Sequence, residues 1–321
     1  MRLGFAWEDT MDSRHEELLE GIARLKREKN AVLLAHYYQE DAIQDAADFV
    51  GDSLELSRKA LSTDAELIVF AGVYFMAETA KILNPERRVV IPDPAAGCSL
   101  VDGCTPEALR VFREEHPEHF VVMYVNSSSA AKVYCDVTCT SSNALDIVRK
   151  CPPERPILFA PDRNLGRWVK ENAGRGDIDL WDACCTVHED FSVEALEGLI
   201  AANPDAEVIA HPECTKSLLD LCHFVGSTSQ LLGYVQQSAA PAFIVGTEVG
   251  IFHKMRQLAP DKRLIEIPPV GDKTRSYCHH MRRHTLEKVY QAFRDETHPV
   301  VLDEKVRTKA LIPIERMMAW S

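Results

Sequence analysis

Residues 32–53, VLLAHYYQEDAIQDAADFVGDS, hold the reading from which the fold follows. The apolar run Val32 to Ala35 predicts a short buried strand, and it ends on His36, Tyr37 and Tyr38. Ile43, Ala46, Ala47 and Val50 then recur at helical spacing, so residues 39–50 are expected as a helix closed by Gly51 and followed by Ser53. The succession returns twice. VVMYVN (121–126) ends on Tyr124, Val125 and Asn126 and precedes Ser141, while VIAHPE (208–213) ends on His211, Pro212 and Glu213 and precedes Thr228. Corresponding positions lie 87 or 88 residues apart.

The register extends through each unit. LIVFAG (67–72), ILFAPD (157–162) and FIVGTE (243–248) predict a second buried strand, and a cysteine follows in each case: Cys98, Cys185 and Cys278. A period near 90 residues implies tandem domains, because solenoid repeats are much shorter. Strands alternating with helices at this spacing predict parallel sheets. The expected fold class is therefore α/β, with three pseudo-symmetric αβα, Rossmann-like domains. Their expected limits are residues 1–104, 105–190 and 191–272. Residues 273–321 then carry the last of the three cysteines and C-terminal helices that pack back on the first unit. Flanking helices are expected over 12–29 and 281–296, with another over 310–320 broken by Pro313.

Composition narrows the function classes. The 321 residues carry 36 basic and 49 acidic side chains, a net charge of −13, which disfavours nucleic acid and anionic membrane as partners. No stretch reaches the roughly 18 unbroken apolar residues of a membrane span, and the first residues lack the apolar core of a secretion signal. A cytoplasmic chain is expected. Ten cysteines in such a chain argue against a disulfide framework and leave buried thiols, a metal site or a nucleophile.

In parallel α/β units, ligands bind beyond the carboxyl ends of the strands. His36, Tyr38, Tyr124, Asn126, His211 and Glu213 all fall there. Any one of them alone reads as an ordinary core or turn residue; the threefold recurrence favours a shared pocket. Ser53, Ser141 and Thr228, near helix starts, supply hydroxyls and N–H groups suited to carboxylate or phosphate. Cys98, Cys185 and Cys278, meeting on one axis, would bind three irons of a [4Fe–4S] cluster and leave the fourth as a Lewis acid. Cys135 and Cys139 form a CxxxC pair for which a zinc or redox role stays open. Another three-cysteine hydro-lyase, a non-catalytic iron–sulfur redox sensor and a plain α/β protein with buried thiols also stay open.

An ordered set of motifs narrows this further. AHYYQ (35–39), DFVGDSLELSRKA (48–60), GCSL (97–100), YVNSSSAAKV (124–133), TSSNA (140–144), APDRNLG (160–166), WDACCTVH (181–188), HPEC (211–214), GSTSQLL (226–232), GTEVGIFHKM (246–255) and MRRHTLEKVY (281–290) resemble the quinolinate synthase family along nearly the whole chain. The resemblance implies three αβα domains around one [4Fe–4S] cluster held by Cys98, Cys185 and Cys278, with Cys185 preferred to Cys184. It implies condensation of iminoaspartate with dihydroxyacetone phosphate to quinolinate, phosphate and water, in NAD biosynthesis. The enzyme that makes the unstable imine would be a transient partner. By the same resemblance, His36, Ser53, Tyr124, Val125, Asn126, Ser141, His211, Pro212, Glu213 and Thr228 line the substrate site. Tyr38, Tyr124, His211 and Glu213 are the candidates for proton transfer, with Glu213 as the main base.

Overall fold

The structure, a computed structural model, describes residues 5–271 and 275–321. It contains three four-stranded parallel sheets flanked by helices. The first holds β1 (Ala31–His36), β2 (Phe49–Gly51), β3 (Leu67–Ala71) and β4 (Arg88–Val90). The second holds β5 (Phe120–Tyr124), β6 (Val137–Cys139), β7 (Ile157–Ala160) and β8 (Ile178–Leu180). The third holds β9 (Ala206–Ala210), β10 (Phe224–Val225), β11 (Ala242–Gly246) and β12 (Arg263–Glu266). Strand order is the same in all three: β2-β1-β3-β4, β6-β5-β7-β8 and β10-β9-β11-β12. The expected αβα triplication is thus the observed architecture. The expected boundary between residues 272 and 273 lies outside the described residues.

The apolar runs became central strands because helices cover both faces of a parallel sheet, so alternation is lost and every side chain is buried. β3, β5, β7 and β11 are buried at every position. In each sheet the chain first steps outward to an edge strand, then crosses back to the other side of the first strand. That reversal falls between β1 and β3, between β5 and β7, and between β9 and β11. Crevices for ligands open at such reversals, beyond the strand C-termini.

The edge strands differ from the sequence expectation. The helix expected over 39–50 spans only Asp41–Ala46, and Phe49–Gly51 is β2. One device builds this edge in all three units. Asp48 N–H donates to Leu33 O (3.0 Å) and its Oδ2 accepts from Leu33 N (2.7 Å). Asp136 does the same to Val121, at 2.9 and 2.8 Å, and His223 to Val208, at 2.8 Å and, through Nδ1, 3.0 Å. These three residues recur at spacings of 88 and 87. Each ties the approach to the edge strand onto the central strand beside it.

The C-terminal helices complete the molecule. The helix expected over 281–296 begins at Leu286, where Thr285 Oγ1 accepts from Lys288 N (3.3 Å), and ends at Asp295. Its Leu286, Val289, Ala292 and Phe293 share a core with Ile22, Leu33 and Val69 of the first unit. The last helix runs unbroken from Glu304 to Trp320 through Pro313. Its buried stripe of Ala310, Ile314 and Met317, and the bond from Thr138 Oγ1 to Pro313 O (3.1 Å), hold it across β6 despite the missing N–H. No helix among the described residues is long and apolar enough to cross a membrane.

Candidate active site

A cavity with about 770 Å³ of atom-free space, part of it open to solvent, lies where the three reversal points face one another. His36, Tyr38, Tyr124, Asn126, His211 and Glu213 line it from the ends of β1, β5 and β9. Ser53, Ser141, Thr228, Cys98, Cys185 and Cys278 line it too. Val125 and Pro212, expected with them, are buried beside the strand ends and do not line it.

The strand ends turn in a repeated way. Tyr38 N–H donates to His36 Nδ1 (3.2 Å), and Glu213 N–H donates to His211 Nδ1 (3.3 Å). An imidazole that accepts at Nδ1 carries its proton on Nε2. His211 Nε2–H accordingly meets Ser141 Oγ at 3.1 Å. Burial depresses both rings, His36 to about 4 and His211 to about 3, so each stays an uncharged donor at neutral pH.

A chain of hydrogen bonds joins the units across the cavity wall. Tyr38 OH lies 2.8 Å from Thr247 Oγ1 and 3.2 Å from Thr228 Oγ1. Thr247 Oγ1 lies 3.0 Å from His188 Nε2, and His188 Nδ1 lies 3.0 Å from Glu213 Oε2. Tyr124 OH donates to Glu213 Oε1 at 2.6 Å. Burial opposes the charge on Glu213, yet the hydrogen bonds from His188 and Tyr124 favour it. Its carboxyl is held below the usual range. Burial lifts both Tyr38 and Tyr124 well above the ordinary phenol, so both are donors rather than phenolates.

Helix starts supply the polar floor. Asp52 caps the helix Ser53–Ser62, accepting from Leu54 N and Glu55 N at 3.0 Å each. Its other oxygen accepts from Ser142 Oγ of the second unit (2.9 Å) and Ser227 Oγ of the third (3.5 Å). Ser53 and Thr228 each open a helix, and Asn126, which lines the cavity, has a buried Oδ1 with no hydrogen-bond partner among the described residues. Lys132, fully buried, donates to Val125 O and Ser127 O and so fixes the loop on either side of Asn126.

The cysteines follow the fourth strand of each unit. Cys98 and Cys185 immediately precede the helical turns Ser99–Asp102 and Thr186–Glu189, and Cys278 precedes the turn Met281–Arg283. Burial pushes Cys98 up to about 12 and Cys278 to about 11, and raises Cys185 as well. Two of them also feel the charge of others of the three: Cys98 that of Cys278, and Cys185 those of both. Backbone N–H groups favour the thiolates, those of Leu100 and Val101 at Cys98, of His188 at Cys185, and of His280 and Met281 at Cys278. Three half-buried thiols that face N–H donors, two of them disfavoured as anions by another of the set, suit a shared cationic metal centre. Two carboxylates fix their loops: Asp162 Oδ2 accepts from Cys185 N (3.2 Å) and Glu248 Oε1 from Cys278 N (3.1 Å). Burial raises Glu248 to about 7, against nearby Arg282. Cys184, Cys135 and Cys139 do not line the cavity.

His188, Thr247, Asp52 and Glu248 escaped the sequence reading. Glu248 and Asp162 had a signal, since both end the second strand of their units and correspond in the repeat. His188 had a weaker one, three residues after Cys185.

Comparison with known proteins follows the same line. The pattern of the family described as "Quinolinate synthetase A protein" matches residues 20–319. A quinolinate synthase of Synechococcus sp. is 54% identical over 306 residues, covering 95% of each chain. That of Nostoc punctiforme is 53% identical over 305 residues, 95% of this chain and 94% of the relative. That of Prochlorococcus marinus (strain MIT 9303) is 51% identical over 306 residues, 95% and 92%.

Proposed function

The chain belongs to the Quinolinate synthetase A family, and from that premise we propose that it condenses iminoaspartate with dihydroxyacetone phosphate to give quinolinate, phosphate and water. The observation that carries this reading is the closing of one cavity by strand ends and thiols from all three units. Cys98, Cys185 and Cys278 would hold a [4Fe–4S] cluster. When bound, it supplies an iron without a protein thiolate, a Lewis acid for a substrate carboxylate and nitrogen.

The remaining chemistry falls to side chains. His36 and His211 present Nε2–H donors, and Ser53, Ser141, Thr228 and Asn126 present hydroxyls and an amide, to carboxylate and phosphate oxygens. Condensation, enolisation and loss of water each move a proton. Tyr124 gives its hydroxyl proton to substrate or passes one to Glu213, which holds the phenol at 2.6 Å. The path from Tyr38 through Thr247 and His188 leads to the other oxygen of the same carboxylate, so Glu213 serves both sides of the cavity. Glu213 thus acts as base through its two donors.

Two variants test this on anaerobically purified protein. Cys185→Ala is expected to lose iron, acid-labile sulfide and quinolinate formation together. Glu213→Gln is expected to keep its iron and lose roughly a hundredfold or more in turnover. Normal turnover in Glu213→Gln would remove Glu213 from the proton path. Wild-type protein that holds a cluster yet forms no quinolinate would overturn the activity itself.

A further inference from the structure

We propose that the turn His116–Pro117–Glu118–His119 binds a divalent transition-metal ion, zinc foremost, at the end of the second unit remote from the cavity. The helix Pro106–Glu115 ends at His116, and Phe120 begins β5. The cavity lies beyond the other end of that strand, which five residues make about 17 Å long.

Three ligand atoms converge there. Glu118 Oε1 lies 3.0 Å from His119 Nδ1 and 3.7 Å from His116 Nδ1, and one donor atom from each residue lies within 4.8 Å of the others. Two ligands of a tetrahedral ion with bonds of about 2.0–2.1 Å sit about 3.3–3.5 Å apart. The two separations to Glu118 bracket that value, and the imidazole nitrogens lie within 4.8 Å of each other.

The second observation concerns the His119 ring, which is buried, with 8% of its side chain exposed. Its Nε2 meets Asp179 Oδ2 on β8 at 2.9 Å. The ring thus stands between two carboxylate oxygens, at 2.9 and 3.0 Å, and a neutral imidazole has one N–H for the two of them, so one contact sets a bare ring lone pair against a carboxylate oxygen. Two acceptors at that distance repel unless a cation lies between them. Carboxylate, imidazole and metal in line are the usual support of a metal-bound histidine. The backbone of the turn is pinned as well: Arg155 Nε donates to Glu118 O (2.9 Å) and Arg113 Nη1 to His119 O (3.0 Å). Both guanidiniums meet carbonyls rather than ligand atoms, and Arg113 also pairs with Asp136. His116 and Glu118 are about half exposed, at 45% and 55% of their side chains, which leaves an approach for the ion and room for a water ligand. Two imidazoles and one carboxylate favour zinc over magnesium or calcium, which take oxygen ligands.

The test uses cluster-loaded protein under anaerobic conditions, so that the cavity thiols are not free to take zinc. Equilibrium dialysis against micromolar zinc, read by elemental analysis, is expected to give about one zinc per wild-type chain. His116→Ala and Glu118→Gln are expected to weaken uptake about tenfold or more, and Asp179→Asn about ten- to a hundredfold. Iron content and turnover should be unchanged, because none of these residues lines the cavity. Absence of zinc from wild type, or equal uptake by the exposed-residue double variant His116→Ala/Glu118→Gln, would overturn the proposal. In that case a proton, and not a metal, bridges His119 and Glu118.

Discussion

Three of the buried imidazoles, those of His36, His211 and His284, stay uncharged near neutral pH, and that makes the molecule sensitive to acid. His36 and His284 are depressed to about 4 and His211 to about 3, in each case by burial first. Unfolded histidines take up protons from about pH 6.5 downward. Between pH 6.5 and 4.5 the unfolded chain therefore binds protons that the folded chain refuses, and stability falls with falling pH, by up to about 1.4 kcal/mol per pH unit for each ring. Glu248, raised to about 7, works the other way in that window, because the folded chain keeps a proton that the unfolded chain releases. Asp162, which burial raises, adds to that offset, and His280, which burial lowers, adds to the side of the three rings. The thermal midpoint is therefore expected to drop from pH 7 to pH 5. The drop should be smaller in His284→Gln, which still donates to Gly72 O but no longer titrates. A wild-type midpoint flat across that range would refute the assignment. His36, Tyr124 and His211 were readable as site residues because the repeat set them at one structural position. Thr247 was not, and His188 only weakly so, since their roles come from bonds between units that one unit's sequence cannot announce.

At the level of elements, the fold depends on the clamps that dock the edge strands. Asp136 serves Val121 through both backbone and side chain and also pairs with Arg113 at 2.7 Å. In Asp136→Ala the Val121 N–H is left buried without its acceptor, which costs about 1–3 kcal/mol. The midpoint of urea unfolding is expected to fall accordingly. A shift below about 0.5 kcal/mol, the size of an ordinary surface change, would mean that the clamp is idle. β2, β6 and β10 were invisible in the sequence for a related reason. They are two or three residues long, too short to show a period, and are defined by a polar residue just before them. The central strands were legible because burial on both faces makes them unbroken apolar runs. Pro313 misled in the opposite direction: it predicts a break, but packing against β6 carries the helix through it.

For the molecule as a whole, the three sheets do not form three separate cores. One apolar cluster includes Leu34 and Phe70 of the first sheet, Val122 and Phe159 of the second, and Ile209 and Val245 of the third. Asp52 adds a polar joint between all three units. Unfolding is therefore expected as one transition, in which far-ultraviolet dichroism and tryptophan fluorescence are lost together. Three resolved transitions would show that the units are independent after all. The triplication was readable from spacing alone, whereas this fusion of cores was not, since spacing says nothing about which faces meet. The placement of one thiol per unit also imposes an order in time. Cys98, Cys185 and Cys278 are synthesised in that sequence, and 93 residues separate the last two. At about 5–20 residues per second the nascent chain carries two of the three thiols for roughly 5–20 s. A centre that needs all three can be inserted only after the third unit has emerged and docked. Until then, oxidants in the cell reach two thiols that the finished molecule keeps half-buried.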